Sequence, residues 1–263
     1  MDNGNGNRLV DLTGQSVAVT GGARGIGRSI VELLAHAGAD VVIGDLRIED
    51  ATNTAKEIAA ATKRRIEAVQ VDVAKLDQVQ RFRDESIKRL GKVDILVNDA
   101  GWDRLTPFLK TNPDLWDKII NINYKGVIHT CYSFLPHMVE RKSGCIVNVS
   151  SDSARVGSFG EAIYAGSKAA VVAFSKTLAR EHARDNIRVN VVCPGLAETA
   201  LVAEMNEDDF SRKILGSIVN AIPMKRFAQP EEIAGMVVFL ASSASRYITG
   251  QVVSVDGGLT MVG

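Results

Sequence analysis

The sequence has few cysteines, no excess of either charge and no long apolar run, and each absence excludes a class of protein. Cys131, Cys145 and Cys193 are odd in number and far apart, which predicts buried thiols and no disulfide framework. Basic and acidic residues both number 31, so the charge excess of a nucleic-acid-binding protein is missing. No apolar run approaches the roughly 18 to 20 residues that a membrane-spanning helix needs.

The N-terminus and the histidines lack two further signals. The first dozen residues, MDNGNGNRLVDL, have no apolar core like that of a signal peptide, so we expect a flexible tail over residues 1–13 and a cytoplasmic protein. A single domain is expected over residues 14–263, because no linker or repeat interrupts it. No metal site is expected, since no ligand spacing relates the four histidines His36, His129, His137 and His182.

Short runs of β-branched residues alternate with helical patterns along the chain. This alternation predicts an α/β fold, a doubly wound parallel sheet of seven strands with helices on both faces. The strands are predicted at 16–20, 41–44, 68–71, 93–97, 145–149, 189–192 and 252–255. Helical periodicity is clearest after the first strand, from Ile26 to Ala37, and before the last, from Ile233 to Leu240.

A glycine-rich loop follows the first predicted strand directly. It reads Gly21-Gly22-Ala23-Arg24-Gly25-Ile26-Gly27 and leads into a helix. A strand, a glycine turn and a helix N-terminus together form an anion site, because free backbone N–H groups and the positive helix end face the ligand. The spacing lacks the Gly-Lys-Ser/Thr of a P-loop, so the motif predicts binding of a dinucleotide pyrophosphate and no nucleoside triphosphate hydrolysis.

Asp45 ends the second strand, about 20 residues after the glycine loop. A carboxylate here accepts hydrogen bonds from the two adenosine ribose hydroxyls of NAD and repels the 2′-phosphate of NADP. Arg24 and Arg47 offer the contrary interpretation, a clamp for that phosphate. The carboxylate favours NAD.

Ser151, Tyr164 and Lys168 have the spacing of a catalytic site. Lys168 follows Tyr164 by four residues, so both side chains lie on one helix face. A tyrosine base at neutral pH needs its pKa lowered by roughly two to three units, and one ammonium about 4 Å away supplies about that much, roughly 4 kcal/mol. Tyr-x-x-x-Lys also arises by chance on amphipathic helices, so the glycine loop is needed to support the catalytic interpretation.

Four further segments complete a pattern in chain order: Asp72-Val73, Asn98-Asp99-Ala100-Gly101, Asn123 and Pro194-Gly195 with Thr199. With the glycine loop and the Ser151, Tyr164 and Lys168 set, the chain resembles the classical short-chain dehydrogenase/reductase family over nearly its whole length. The chain departs from the family at Asp99, where a second asparagine is usual. This exchange puts hydrogen bonding near the cofactor loop in doubt.

The resemblance implies a role for each matching residue. Tyr164 is the acid/base, Ser151 donates to the substrate oxygen, and Lys168 lowers the tyrosine pKa and binds the nicotinamide ribose. Asn123 holds a water that connects Lys168 to solvent, and Thr199 bonds the nicotinamide carboxamide. The implied cofactor-binding residues are Gly21, Arg24, Gly25, Ile26, Gly27, Asp45, Asp72, Val73, Asn98, Ala100, Gly101, Tyr164, Lys168, Pro194, Gly195 and Thr199.

Several segments are similar to the 2-hydroxycyclohexanecarboxyl-CoA dehydrogenases, among them 100–103, 151–157, 160–162, 173–184 and 257–261. This similarity implies NAD-dependent oxidation of a secondary alcohol β to a thioester. Three alternatives stay open: a reductase of the 3-oxoacyl-carrier-protein type, a simple alicyclic or aryl alcohol dehydrogenase, and a non-catalytic cofactor-binding subunit. The first commonly uses NADP, against which Asp45 argues, and the last is usually marked by a broken catalytic position.

Substrate contacts are expected from the pocket side of these motifs. Trp102 follows the cofactor loop and is a candidate for contact with substrate, whereas Trp116 is expected to pack. The segment 199–226 is expected to close over substrate as a lid. The substrate candidates are Trp102, Ser153, Arg155, Arg212 and Lys213, with Arg104 and Lys110 as further partners for CoA phosphates. The apolar content of 127–138 and 169–178 predicts a homo-oligomer, most simply a tetramer.

Overall fold

The fold is a seven-stranded parallel sheet covered on both faces by helices. The computed structural model describes residues 10–199 and 209–262. The strand order is β3-β2-β1-β4-β5-β6-β7, and every neighbouring pair runs parallel. The order reverses between β1 and β4, where an open α/β sheet forms its ligand crevice.

The strands confirm the predicted sheet. They are β1 Ser16–Thr20, β2 Asp40–Asp45, β3 Ile66–Gln70, β4 Ile95–Asn98, β5 Gly144–Val149, β6 Ile187–Pro194 and β7 Val252–Val255. β1, β4 and β5 are buried almost throughout, which explains their continuous apolar runs. The predicted bounds differ by at most two residues at each end, as expected where strands fray into turns.

The helices are α1 Gly25–His36, α2 Ile48–Thr62, α3 Leu76–Leu90, α4 Pro113–Ile120, α5 Gly126–Glu140, α6 Ser153–Val156, α7 Ala162–His182, α8 Asp209–Ala221 and α9 Pro230–Ala241. A π-helical turn, Asn121–Lys125, joins α4 to α5. α4 begins where sequence chemistry predicts a start, since the Asn112 side chain accepts the Leu115 N–H at 3.0 Å and Pro113 follows. Lys63 and Gly91, both left-handed, end α2 and α3.

Two apolar layers hold the helices against the sheet. One unites β1 and β2 with α1 and α9 through residues such as Ile30, Leu34 and Val237, all fully buried. The other packs Phe82 of α3 edge to face against Phe134 of α5, with centroids 5.6 Å apart. Neither layer covers the carboxyl ends of the strands. The candidate functional site lies at this edge of the sheet.

Part of the predicted tail packs against the fold. Leu12 is only 2% exposed and packs in the first apolar layer, and its N–H donates to Ala37 O at 2.8 Å. Residues 1–9 of the predicted tail lie outside the described residues. Among the described helices, none combines the length and the apolar character that crossing a bilayer requires.

Candidate active site

A cleft of about 1060 Å³ opens at the carboxyl edge of the sheet. Most of the predicted cofactor residues line it: Gly21, Arg24, Gly25, Ile26, Asp45, Asp72, Val73, Ala100, Gly101, Tyr164, Lys168, Pro194, Gly195 and Thr199. Gly27 and Asn98 lie behind its wall. The Asn98 amide donates to Asn148 Oδ1 at 2.7 Å inside the sheet, so its side chain serves strand packing.

The glycine loop fits a pyrophosphate because two of its positions leave no room for a side chain. A Cβ at Gly27 would lie 2.1 Å from Gly21 O, and one at Gly21 would lie 2.8 Å from the Ala100 backbone. Gly21 also has φ +75°, a left-handed conformation that glycine favours. Arg24 precedes α1 without a side-chain cap, which leaves the N–H groups of Gly25 and Ile26, the first two of the helix, for an anion.

The Asp45 carboxylate is fixed at the mouth of the same cleft. Its Oδ2 accepts the Ala23 N–H at 3.0 Å and its Oδ1 accepts the Arg47 N–H at 2.9 Å. Each oxygen keeps a further lone pair for a hydroxyl donor. Arg24 and Arg47 line the cleft as well. The carboxylate that favours NAD and the two arginines that favour NADP therefore lie in the same cleft.

Ser151, Tyr164 and Lys168 meet at the base of the cleft. Ser151 follows β5 and Tyr164 lies on α7; both line the cleft, and the Ser151 hydroxyl acts to lower the Tyr164 pKa. Lys168 is 3% exposed, and its Nζ donates to Val149 O at 2.9 Å and lies 5.6 Å from the centre of the Tyr164 ring. The fold brings these three side chains into one cleft, as the sequence predicts.

The electrostatic expectation for Tyr164 is wrong in direction for the protein alone. Burial raises the Tyr164 pKa above its usual value, and the charges of Glu161 and Asp103 raise it further. Burial also lowers the Lys168 pKa to about 8. The one favourable ammonium expected from the sequence is outweighed, because desolvation and the nearby carboxylates oppose it.

Asn123 lies in the π-helical turn and is completely buried. Its amide donates to Trp102 O at 2.6 Å and to Ile119 O at 2.9 Å. A Cβ at Gly101 would stand 3.0 Å from Asn123 Oδ1 and 3.4 Å from Lys168 Nζ, so both side chains converge on this glycine. The widened turn thus directs Asn123 toward the lysine.

Asp99, the departure from the family pattern, is half-buried beside the glycine loop and lines the cleft. The Gly27 N–H is its hydrogen-bond donor, and a Cβ at Gly27 would lie 2.7 Å from Asp99 Oδ2. Burial raises the Asp99 pKa to about 7, although Lys168 acts in the opposite direction. The Asp99 carboxylate therefore interacts both with a backbone N–H of the glycine loop and with the ammonium group of Lys168.

The substrate candidates divide into two groups. Trp102, Ser153 and Lys213 line the cleft. Arg155, Arg212, Arg104 and Lys110 are absent from its described lining, and Arg155 instead donates to Ser254 Oγ at 2.9 Å and to Val262 O at 2.8 Å. Trp116 stacks on Phe108 with centroids 6.0 Å apart, which confirms its packing role.

Two sets of cleft residues were not predicted from the sequence. One is acidic: Asp103, Asp152 and Glu161. The other is apolar: Leu105, Val156, Phe159, Ile214, Ile218 and Leu259. Ile214 and Ile218 belong to α8, inside the segment predicted as a lid, and residues 200–208 of that segment lie outside the described residues. Glu161 carried one signal, since it precedes Tyr164 by three residues, close to one helical turn.

Comparison with known proteins agrees with this geometry. A family model described as enoyl-(acyl carrier protein) reductase matches residues 21–260. The chain is 38% identical over 250 residues to 3-oxoacyl-[acyl-carrier-protein] reductase FabG of Thermotoga maritima, covering 95% of this chain and 99% of the relative.

Solved structures give the same result. The crystal structure of gox2181 superimposes with a TM-score of 0.91 at 33% identity and covers 97% of this chain and 98% of its own. A Sinorhizobium meliloti 1021 protein described as a short-chain alcohol dehydrogenase has a TM-score of 0.88 at 36% identity, with 95% and 97% coverage. The chain therefore belongs to the short-chain dehydrogenase/reductase family and is an oxidoreductase that acts on CH–OH groups with a nicotinamide cofactor.

Proposed function

We propose that the protein is an NAD-dependent dehydrogenase that interconverts a secondary alcohol and a ketone, with a β-hydroxyacyl thioester of alicyclic type as its substrate. The observation that carries the catalytic part is the meeting of Ser151, Tyr164 and Lys168 in one cleft with the glycine loop and Asp45. A bound nicotinamide supplies the hydride acceptor or donor.

Each catalytic side chain has one task in this proposal. The Tyr164 phenol exchanges the proton of the substrate hydroxyl, and the Ser151 hydroxyl stabilises the charge that develops on the substrate oxygen. Lys168, buried against Val149, holds a positive charge below the phenol. Tyr164 has a raised pKa in the protein alone. Alcohol oxidation needs its phenolate, which the positive charge of a bound oxidised nicotinamide would favour.

The preference for NAD rests on Asp45. Its carboxylate is held by two backbone N–H groups and presents its remaining lone pairs to the cleft. A 2′-phosphate placed there meets like charge, against which Arg24 and Arg47 act. We expect kcat/KM to be higher with NAD than with NADP, and Asp45→Ala to narrow the difference; equal values in the unaltered enzyme would show that the arginines prevail.

The substrate proposal is supported by the apolar wall and by the sequence similarity to alicyclic acyl-CoA dehydrogenases. Leu105, Val156 and Phe159 line the same cleft as Ile214 and Ile218, a lining suited to a hydrocarbon ring. For the CoA phosphates, Lys213 is the one proposed cation whose position lines the described cleft.

A 3-oxoacyl-carrier-protein reductase is the second candidate, because the Thermotoga maritima relative carries that name. Two further candidates are a dehydrogenase for free alicyclic or aryl alcohols and a non-catalytic cofactor-binding subunit. Intact Ser151, Tyr164 and Lys168 argue against the non-catalytic subunit. Both thioester candidates require the same alcohol and ketone chemistry and differ in cofactor and acyl group.

A substrate panel tests the function. NAD reduction would be followed with 2-hydroxycyclohexanecarboxyl-CoA, 3-hydroxybutyryl-CoA, the corresponding free hydroxy acids and cyclohexanol. We expect the alicyclic thioester to give the highest kcat/KM. If the free acid or alcohol is turned over as efficiently, the simple alcohol dehydrogenase replaces the proposal; if acetoacetyl thioesters with NADPH are preferred, the carrier-protein reductase does.

The lid and the carrier are tested together. Replacing Arg212 and Lys213 by alanine should raise KM for 2-hydroxycyclohexanecarboxyl-CoA and weaken its salt dependence, because two exposed cations near CoA phosphates are removed. Lys225→Ala, an exposed cation beyond α8, is the matched control. An unchanged KM would show that the CoA phosphates do not bind to Arg212 and Lys213 of the predicted lid.

A further inference from the structure

A lysine outside the catalytic set holds its charge over the face of a tryptophan in the cleft. The Lys118 Nζ lies 3.5 Å from the centre of the Trp102 ring, and both residues line the cleft. A ring face attracts a cation because the electron density of the aromatic system makes that face negative. The ammonium of Lys118 therefore has a defined position, although its side chain is exposed.

The charge of Lys118 is not neutralised by a carboxylate. Across residues 10–199 and 209–262, no ion pair or hydrogen bond engages its ammonium. Asp114 precedes it by four residues on α4, a spacing that allows a helical ion pair, yet the lysine lies on the Trp102 ring instead. The ring occupies one side of the ammonium, so N–H donors remain for a ligand in the cleft.

One buried amide fixes both partners of this contact. The Asn123 side chain accepts the Trp102 N–H at 3.2 Å and donates to Trp102 O at 2.6 Å. It also donates to O of Ile119, the residue after Lys118, at 2.9 Å. Asn123 thus holds the backbone of the loop that carries the ring and of the helix that carries the cation. Because Asn123 belongs to the predicted catalytic set, the cation has a fixed place relative to the reacting groups.

Asp103 follows Trp102 directly but does not cancel the lysine charge within the cleft. Its side chain is 5% exposed, and both carboxyl oxygens are enclosed by protein atoms. Burial raises the pKa of Asp103 and of Asp152, which also lines the cleft, to about 7, and raises that of Glu161 as well. A ligand that enters beside Trp102 therefore meets the exposed ammonium of Lys118.

We propose that Lys118 is a specificity-determining residue, positioned by Trp102 to bind an anionic group of the substrate, a carboxylate or a phosphate. Lys213 of α8 lines the same cleft and adds a second cation. The ring holds the ammonium in place before the ligand arrives, which reduces the entropy lost on binding. This proposal rests on the proposed alcohol oxidation and narrows its substrate class to anions.

The charge of Lys118 is tested by the kinetics of Lys118→Gln with three members of the substrate panel. We expect KM to rise about fivefold for 2-hydroxycyclohexanecarboxyl-CoA, for the free hydroxy acid, or for both, with kcat and the KM for cyclohexanol unchanged. A rise with the thioester alone assigns a phosphate, and a rise with the acid assigns its carboxylate. Lys56→Gln, on the exposed side of α2, is the matched control. An unchanged KM for both anions, or an equal rise for cyclohexanol, overturns the proposal.

The positioning role of the ring is tested by a double-mutant cycle. Trp102→Leu should raise KM for the same anion, and the Lys118→Gln/Trp102→Leu variant should raise it no further than the larger single effect. Trp102→Phe keeps an aromatic face under the ammonium and should keep KM within about twofold of the unaltered enzyme. Additive effects of the two single variants would show that the ring does not position the lysine.

A binding measurement without turnover keeps this proposal distinct from the proposed function. Trp102 and Trp116 are the two tryptophans, so Trp116→Phe leaves the ring under Lys118 as the fluorescent reporter. With NAD saturating, we expect CoA or cyclohexanecarboxylate to change its emission, with affinity at least fivefold lower when Lys118→Gln is added. If no thioester is turned over but this dependence holds, the thioester proposal fails and the anion site stands. Equal affinities, or a loss of NAD affinity in Lys118→Gln, would overturn the substrate role of the lysine.

Discussion

Asp99 shows at the scale of one residue how burial sets both chemistry and stability. Its pKa is raised to about 7, above the value of an unfolded chain, so the folded state binds an extra proton between about pH 4 and pH 7. Stability from this group is fully present below about pH 4 and is lost as the pH rises through about 7. Asp99→Asn, which restores the family's usual residue, removes that dependence.

The prediction is a change of slope in stability with pH. Melting temperatures of the unaltered protein and of Asp99→Asn should diverge from about pH 4 to about pH 7, with the asparagine variant relatively more stable at the upper end. Differential scanning calorimetry across this range measures it. If the melting temperatures of the two proteins change with pH in parallel, Lys168 neutralises Asp99 over the whole pH range.

A second residue-scale prediction concerns the glycine loop. Gly27→Ala places a methyl group where a Cβ lies 2.1 Å from Gly21 O, so the loop must move away from its present path. We expect the affinity for NAD to fall by about tenfold or more, because the N–H groups that face the pyrophosphate are displaced. Fluorescence titration with NADH measures this, and Gly216→Ala, with open space around its Cβ, is the control.

At the scale of elements, β4 is anchored by a buried aspartate just before it. Asp94 accepts the Ser16 N–H at 3.0 Å and pairs with Lys92 at 2.8 Å and Arg141 at 2.6 Å. Burial opposes the charge, but these partners prevail and lower the Asp94 pKa. The carboxylate therefore ties β1 and β4 to the end of α5.

Asp94→Ala should cost about 1.5–3 kcal/mol of unfolding free energy at pH 7, because three hydrogen bonds to a buried charge are lost. The contribution is present above the unfolded pKa and is lost as the pH falls through the lowered folded value, below about pH 4. Urea denaturation at pH 7 and pH 3 measures the difference, which should shrink at pH 3. Asp84→Ala, on the exposed face of α3, should leave the midpoint unchanged.

Elements also show how much the sequence could predict. The strands were predictable because runs such as Ser16–Thr20 and Val252–Val255 are β-branched and lie between glycine turns and helical patterns. The catalytic residues were predictable because their spacing lies within one helix and one strand end. The positions of Asp103 and Glu161 were not, because these residues lie in two loops that meet across the cleft, and no spacing in the sequence reports that contact. The rise in the Tyr164 pKa was missed for the same reason, since its causes are burial and those carboxylates.

At the scale of the whole molecule, we propose a tetramer and a cytoplasmic enzyme. The oligomer proposal rests on the apolar content of α5 and α7, the outer helices of one face, and Tyr132 on α5 is 66% exposed. Sedimentation equilibrium should give about four times the chain mass of 28.3 kDa. Tyr132→Asp should lower that mass, and a single-chain mass for the unaltered protein at micromolar concentration would refute the tetramer.

The central claim, that Tyr164 exchanges the substrate proton in a nicotinamide-dependent alcohol oxidation, is tested most directly by Tyr164→Phe. Removing one hydroxyl from the half-buried Tyr164 ring leaves the residues that line the cofactor cleft unchanged. With the best substrate of the panel, we expect kcat to fall by about 10² to 10⁴ while the NADH dissociation constant stays within about twofold. Turnover within a few-fold of the unaltered enzyme would contradict the account.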